Sequence, residues 1–235
     1  MYRNEGGTDT SDPLGTPHHH AQHKENPVDI AATRGWIQAI AATIEEHTDQ
    51  LTQLDSAIGD ADHGTNMRRG FTAVLATLAD LQSTTVGEIL LKTGNTLISS
   101  VGGAAGPLYG SAFRAMAKTL DAPEVDSKQV LAALTDGLAA IQRLGAAVPG
   151  DKTIVDAYAP AIAAWETALS VGKDLADAAA AAAAAAEQGM RATTELPARK
   201  GRASYLGARS IGHQDPGATS TALIFRALAT TAAAA

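Results

Sequence analysis

Residues 126–141, DSKQVLAALTDGLAAI, combine a helix start with a long amphipathic repeat. Asp126 and Gln129 have the spacing of a capping box, in which each side chain bonds the backbone N–H at the other position. Apolar residues then recur every three to four positions from Val130 to Ile141, the period of a helix with one buried face. The same spacing recurs along most of the chain, and no segment alternates with a period of two. We therefore predict an all-α fold.

The helical pattern predicts roughly eight helices in a single domain at residues 26–235, after a polar leader at residues 1–25. The predicted helices are one starting at Asn26-Pro27, then Asn66 to Leu81, Thr85 to Leu97, one after Pro107, one after Asp126, Asp151 to Leu169, Asp174 to Arg191, and one from Asp215-Pro216 to the C-terminus. Short connections between consecutive helices favour antiparallel neighbours. We therefore expect a closed antiparallel bundle or barrel.

Composition excludes several functional classes. The net charge of −7 argues against a duplex nucleic acid partner, which needs a basic face. The absence of cysteine excludes disulfides, thiol catalysis and zinc–thiolate sites. The first residues contain no apolar signal segment, and no apolar run is suited to a membrane span, so we expect a cytoplasmic protein.

The leader contains four of the seven histidines, and histidine-rich tracts can bind transition metals. The surrounding composition, rich in Gly, Thr, Asp and Pro, is instead typical of a disordered segment. The histidines concerned are His18, His19, His20 and His23. We therefore assign the leader no site.

Four polar, glycine-bearing segments separate the predicted helices: Asp55–Asn66, Ser99–Gly110, Gly145–Thr153 and Arg199–Gly217. They follow the first, third, fifth and seventh helix. If every helix reverses direction, alternate connections lie at the same end of the bundle. The topology therefore predicts one site built from all four segments.

Three carboxylates lie within eight positions at Asp55, Asp60 and Asp62. Isolated aspartates in loops are ordinarily turn or cap residues. Three converging carboxylates repel one another, and oxygen ligands of this kind suit Mg²⁺ or Ca²⁺. An EF-hand does not fit, because the sixth loop position would be Thr65 rather than glycine. We therefore predict a metal site of another kind.

The other segments carry features that suit phosphate binding. Glycines at 102, 103 and 106 would let backbone amides approach a phosphate or an adenine ring, or else permit tight helix packing. Lys200 and Arg202 belong to a basic stretch that could bind phosphate or simply form a solvated face. Asp215 precedes Pro216 at a predicted helix N-terminus, where anions bind well. Because no Walker A loop is present, we predict a nucleotide site of different architecture, used for phosphoryl transfer.

Together these segments resemble the nucleotide-binding L subunit of bacterial dihydroxyacetone kinase. The matching stretches are Ile58–Gly70, Leu97–Gly110, Pro149–Thr153 and Ala198–Ser220. The resemblance implies an eight-helix barrel with the nucleotide at one end. It also implies that two Mg²⁺ ions are held by the three aspartates.

The same resemblance implies a set of contacts to ADP or ATP. These fall on His63, Gly64, Thr65, Asn66, Ala104, Ala105, Gly145, Ile154, Arg202, Asp215, Pro216 and Gly217. Relatives often carry Ser at the position of Ala105, so a hydroxyl contact is lost here while the backbone amide remains.

The implied function is phosphoryl transfer to dihydroxyacetone held by a separate K subunit. In one version the bound ADP is a permanent cofactor, rephosphorylated by a phosphotransferase-system protein. In the other, ATP binds and exchanges as a substrate. The resemblance leaves two further alternatives, a kinase half for another small ketose and a regulatory module that binds nucleotide without catalysis.

Overall fold

The computed structural model describes residues 27–234, and the predicted leader and the Asn26 cap lie outside the described residues. It contains nine α-helices, two short strands and two 3₁₀ segments within that range. The helices are α1 (Ile30–Glu46), α2 (Thr48–Ile58), α3 (His63–Ala79), α4 (Val86–Ser100), α5 (Ala105–Thr119), α6 (Ser127–Gly145), α7 (Ile154–Ser170), α8 (Leu175–Ala192) and α9 (Pro216–Ala234). The strands are β1 (Val28–Asp29) and β2 (Glu124–Val125), and the 3₁₀ segments are Thr193–Glu195 and Arg202–Ser210.

The helices form a closed antiparallel ring, which confirms the predicted fold class. From α3 to α9 each helix packs against the next along the chain, and α1 packs against both α9 and α3 to close the ring. Large side chains such as Phe71, Phe113, Trp165 and Phe225 fill the interior. No helix among residues 27–234 combines the length and hydropathy needed to cross a bilayer.

One end of the ring, which we call the far end, carries the N-termini of α1, α4, α6 and α8. Asp126 forms the predicted capping box there with Gln129, and Thr85 forms a second one with Glu88. Asp174 caps α8 by accepting the backbone N–H of Asp177 at 2.9 Å. These helix starts are therefore set by short local signals in the sequence.

The start of α1 differs from the prediction. Val28 and Asp29 pair antiparallel with Val125 and Glu124. This pairing holds the backbone extended, so Pro27 is not the first helical residue. Asp29 is the N-cap instead, and its carboxylate accepts the N–H of Ala32 at 2.7 Å. The expectation of no strand was also wrong, by this one two-residue pair.

Other helix boundaries also differ from the prediction, and α7 begins at Ile154 rather than Asp151. The first predicted helix is divided at His47, whose backbone leaves the helical region (φ −103°, ψ 11°). The helix α3 begins at His63 rather than near Asn66, and Asp55 lies in the last turn of α2. The connection between α2 and α3 is therefore only Gly59 to Asp62.

The helix α8 packs through small residues. Ala178, Ala179, Ala182 and Ala186 are completely buried between its neighbours. Near its C-terminal end, a Cβ at Gly189 would overlap the carbonyl oxygen of Asp156 in the first turn of α7. This alanine seam lets α7, α8 and α9 approach closely.

Candidate functional site

The end of the ring opposite the far end contains a cleft of about 460 Å³, and we call it the cleft end. All four polar connections contribute to its walls, as the alternation of helix directions predicts. The cleft is lined by residues of the α2–α3, α4–α5 and α6–α7 connections and by the segment that precedes α9.

Asp55 is the fixed member of the acidic cluster. It is 8% exposed, and its Oδ2 accepts the backbone N–H of Asp62 at 2.9 Å and of His63 at 3.2 Å. Ala61 turns the chain with a left-handed φ of 61°. Gly59 lies so close that a Cβ there would overlap Asp55 Oδ1. The short α2–α3 turn is therefore folded around this one carboxylate.

Oxygen atoms of Asp55, Asp60 and Asp62 lie within 4.8 Å of one another. Arg202 contacts Asp60 Oδ2 at 3.0 Å, but this arginine side chain is 70% exposed, so the pair offsets little of the repulsion. Clustered carboxylate oxygens, one of them held rigidly by backbone N–H groups, form a donor set that fits Mg²⁺. The three residues can therefore hold a divalent cation.

The helix starts on either side of the cleft lack a cap from the side chain of their own N-cap residue. Neither Asp62 before α3 nor Ala104 before α5 accepts a capping hydrogen bond. Gly103 has a left-handed φ of 65°, and a Cβ at Gly102 would press on Asn66. Uncapped first turns leave N–H groups and a partial positive charge available to an anion.

His63 begins a buried chain of hydroxyl groups. Its Nε2 lies 2.9 Å from Ser220 Oγ, which lies 2.7 Å from the hydroxyl of Tyr109. Burial lowers the pKa of the His63 imidazole, while Asp55 and Asp62 act in the opposite direction. The hydroxyl of Tyr109 also donates to the carbonyl of Gly217 at 3.0 Å, and burial raises its pKa. This chain therefore links α3, α5 and the first turn of α9.

Asp215 caps α9 from a buried position. Its Oδ2 accepts the N–H of Ala218 at 2.7 Å, and its own N–H donates to Thr193 Oγ1 at 3.0 Å. Burial raises the pKa of Asp215 to about 7, although the Ala218 N–H and Lys152 act in the opposite direction. The predicted helix start at Pro216 is confirmed.

The structure places every predicted site residue on the cleft except two. Gly64 packs against α2, where a Cβ would overlap the carbonyl of Thr48. Thr65 is exposed, and its Oγ1 donates to the carbonyl of Asp62 at 2.9 Å. The predicted residues that line the cleft are Asp55, Asp60, Asp62, His63, Asn66, Ala104, Ala105, Gly145, Ile154, Arg202, Asp215, Pro216 and Gly217.

Sequence reasoning missed two parts of the cleft. An apolar wall is formed by Ile58, Leu108, Ile141, Ala147 and Val155. Its member Ile141 belongs to the inward stripe of α6, so the wall could have been anticipated where that stripe reaches the helix end. Lys152 also lines the cleft, and nothing in its local sequence indicates that a lysine there is buried.

Comparison with known proteins gives consistent matches. The profile of the DAK2 domain matches residues 57–230. The ADP-binding subunit DhaL of PEP-dependent dihydroxyacetone kinase from Escherichia coli K12 is 41% identical, over 83% of this chain and 93% of the relative. The ADP-binding subunit DhaL of the PTS-dependent kinase from Lactococcus lactis is 42% identical, over 85% of this chain and 96% of the relative.

A solved structure matches as well. The dihydroxyacetone kinase of C. freundii in complex with AMP-PNP and Mg²⁺ superimposes with a TM-score of 0.62 at 26% identity, over 95% of this chain. The chain spans 38% of the length of that kinase.

Proposed function

The chain belongs to the DAK2 domain family, and on that premise we propose that it is the nucleotide-binding subunit of a dihydroxyacetone kinase. The observation that carries the proposal is the meeting of three carboxylates with two uncapped helix N-termini in one cleft. This combination suits a nucleotide whose phosphates carry a divalent cation.

The nucleotide phosphates would lie near the acidic cluster, and the base near the apolar wall. Arg202 pairs with Asp60 and so lies where a phosphate would need a counter-charge. Ala104 and Ala105, beside Leu108, offer a small-residue surface for a purine ring. Gly64 and Thr65, which do not line the cleft, would contribute only through backbone N–H groups in the first turn of α3.

Asp55, Asp60 and Asp62 would hold Mg²⁺, and the resemblance favours two ions. Bound Mg²⁺ supplies charge neutralisation of the phosphates during transfer. Asp55 is fixed by two backbone N–H groups, so the fold itself holds this member of the cluster in position. The chain's own contribution is therefore positioning and electrostatics.

In the proposed reaction, the bond between the terminal phosphorus and the ADP oxygen breaks while a bond to a dihydroxyacetone hydroxyl oxygen forms, with loss of the hydroxyl proton. The acceptor would be held by a separate K subunit. ADP would stay bound and be rephosphorylated by a phosphotransferase-system protein. The names of the Escherichia coli and Lactococcus lactis relatives favour this version over exchange of ATP.

The first test is to purify the chain without added nucleotide, denature it and identify what is released. We expect one ADP per chain, as for a fixed cofactor. An empty chain that binds Mg-ATP reversibly would indicate the ATP-dependent version. A chain that binds neither nucleotide would contradict the proposal.

Asp60→Asn tests the cation site within this function. We expect transfer to dihydroxyacetone, measured with a purified K subunit and phosphoryl donor, to fall by at least about a hundredfold because one cation ligand is lost. Asp49→Asn, an exposed position in the first turn of α2, is the matched control. Full activity of Asp60→Asn would refute the cation assignment. Nucleotide binding by the wild type with no transfer to any ketose would instead favour the regulatory module.

A further inference from the structure

Lys152 is buried in a place where lysine is rarely found. Only 1% of its surface is exposed, although it lies in the turn before α7. Its backbone has a left-handed φ of 63°. A residue with a Cβ adopts this conformation only where its surroundings hold it there. The position is therefore one that the fold maintains at a cost.

The ammonium group of Lys152 contacts four backbone carbonyl oxygens. The distances are 2.7 Å to Thr193, 2.9 Å to Ser210 and 3.1 Å to Leu196, and the fourth partner is His213. An ammonium has three N–H donors, so these oxygens use its whole hydrogen-bonding capacity. Lys152 is therefore not free to bind a ligand in the cleft.

The four carbonyls belong to the two ends of one segment, residues 193–213. Thr193 and Leu196 lie at its start, and Ser210 and His213 lie at its end. The segment is also linked within itself, because Gly212 N–H donates to Thr194 O at 2.8 Å and Ala198 N–H donates to Ser210 Oγ at 2.8 Å. A single ammonium group thus fastens both ends of the segment to the turn before α7.

The fastened segment carries Arg202 at the edge of the cleft, facing Asp60. Within residues 27–234, its other hydrogen bond to the α6–α7 connection is between backbone groups, from Arg199 N–H to Asp151 O at 3.1 Å. Burial lowers the pKa of Lys152, while the carboxylates of Asp215 and Asp156 act in the opposite direction and favour the charged form that makes these bonds.

We propose that Lys152 is a positioning residue that holds the segment 193–213 closed over the bound nucleotide and thereby slows nucleotide release. This proposal rests on the proposed function, because retention of ADP has meaning only if ADP binds. The tie between Lys152 and the segment, however, is a property of the free chain and can be measured without any ligand.

The test uses Lys152→Met, which keeps an unbranched side chain that is one atom shorter and removes all its donors. In the nucleotide-free chain, hydrogen exchange of backbone amides in 193–213 should accelerate by about tenfold or more, while exchange in α1 and α4 stays unchanged. With Mg²⁺ present, release of ADP should accelerate to a similar extent. Lys173→Met, an exposed lysine at the far end, is the matched control and should change neither rate.

Unchanged exchange in 193–213, or equal acceleration in every helix, would overturn the proposal. Faster exchange in the segment with unchanged ADP release would overturn its role in retention. If the wild type binds no ADP, the proposed function fails, while the exchange experiment still decides whether Lys152 fastens the segment. Should Lys152→Met fail to fold, Lys152→Gln, which retains two N–H donors, is measured in its place with the same outcomes.

Discussion

The two ends of the helical ring solve the same structural problem in different ways. Four helices begin at each end. At the far end every one of them has a side-chain cap, from Asp29, Thr85, Asp126 and Asp174. At the cleft end α3 and α5 begin without one. The far end satisfies its own N–H groups, whereas the cleft end leaves some of them for a ligand.

Backbone conformation shows the same contrast. Among residues 27–234, the three non-glycine residues with positive φ are Ala61, Ala146 and Lys152, and all belong to connections at the cleft end. In the part of the far end that the structure describes, the one residue with positive φ is Gly172. Such conformations cost about 1–3 kcal/mol each for residues with a Cβ. Backbone strain of this kind is therefore concentrated in the connections at the cleft end.

Asp215 and Asp174 cap helices at opposite ends. Replacing each by Asn separates the effect of burial on stability from the effect of capping. The folded carboxyl of Asp215 has a pKa raised by burial from 3.8 to about 7. The stability that it contributes is therefore complete below about pH 4 and is lost as the pH rises through about 7. Asp215→Asn avoids this loss and should gain about 3 kcal/mol of stability relative to the wild type between pH 5 and pH 8, because the wild type loses about 1.4 kcal/mol per pH unit up to about pH 7.

Urea unfolding of the Mg²⁺-free and nucleotide-free chains at each pH measures this difference. Asp174→Asn is the control, because Asp174 is exposed and Asn caps a helix equally well. Any change in stability that the two variants share then reflects the loss of a carboxylate cap rather than burial. A pH-independent effect of Asp215→Asn would show that its burial carries no electrostatic cost.

Replacing Gly59 or Gly172 by alanine perturbs one end of the ring and leaves the other end unchanged. Ala at 59 would overlap Asp55 Oδ1 and displace the carboxylate. We expect Gly59→Ala to lose the stabilisation that Mg²⁺ and ADP give the wild type, which is about 2.7 kcal/mol at a hundredfold excess over Kd. Thermal unfolding with and without both ligands measures it.

Gly172→Ala provides the opposite case. Gly172 has φ 76° and open space around it, so Ala there strains only the backbone. We expect it to lower stability by about 1 kcal/mol while leaving the ligand-induced increase intact. Retention of that increase in Gly59→Ala would contradict the role given to Asp55.

Thr85 and Asp62 occupy the same N-cap position at the two ends, and their replacement by Ala gives the smallest expected effects. Thr85 accepts the N–H of Glu88 at 3.2 Å, so Thr85→Ala should cost about 1 kcal/mol. Asp62 caps nothing through its side chain, and its removal relieves repulsion in the acidic cluster. In the absence of Mg²⁺, Asp62→Ala should be as stable as the wild type or slightly more so by urea unfolding. A loss equal to that of Thr85→Ala would remove the distinction between the ends.

The far end was the more predictable part of the molecule. The capping boxes at Thr85 and Asp126 depend on residues three positions apart, and the helical faces depend on spacing within one helix. The convergence of four connections at the cleft end also followed from the alternation of helix directions. Local sequence patterns were therefore sufficient to predict most of the fold.

The parts that could not be predicted depend on contacts between distant residues. Val28 is extended because it pairs with Val125, which lies much later in the sequence, just before α6. Lys152 is buried because carbonyls more than forty positions away surround its ammonium. The division at His47 has no local signal, since no glycine or proline lies there. For Val28 and Lys152, the determining partner is distant in the sequence and therefore absent from the local pattern.

The helix α8 contributes no described residue to the lining of the cleft. Its alanine seam nevertheless packs against a turn that does. Gly189 lies against Asp156, whose carboxylate accepts the N–H groups of Gly150 and Thr153 on either side of Lys152. A larger side chain at 189 would push this turn, and with it the segment that Lys152 fastens. A bulkier residue at 189 would therefore weaken ligand retention in addition to disturbing the packing of α7 against α8.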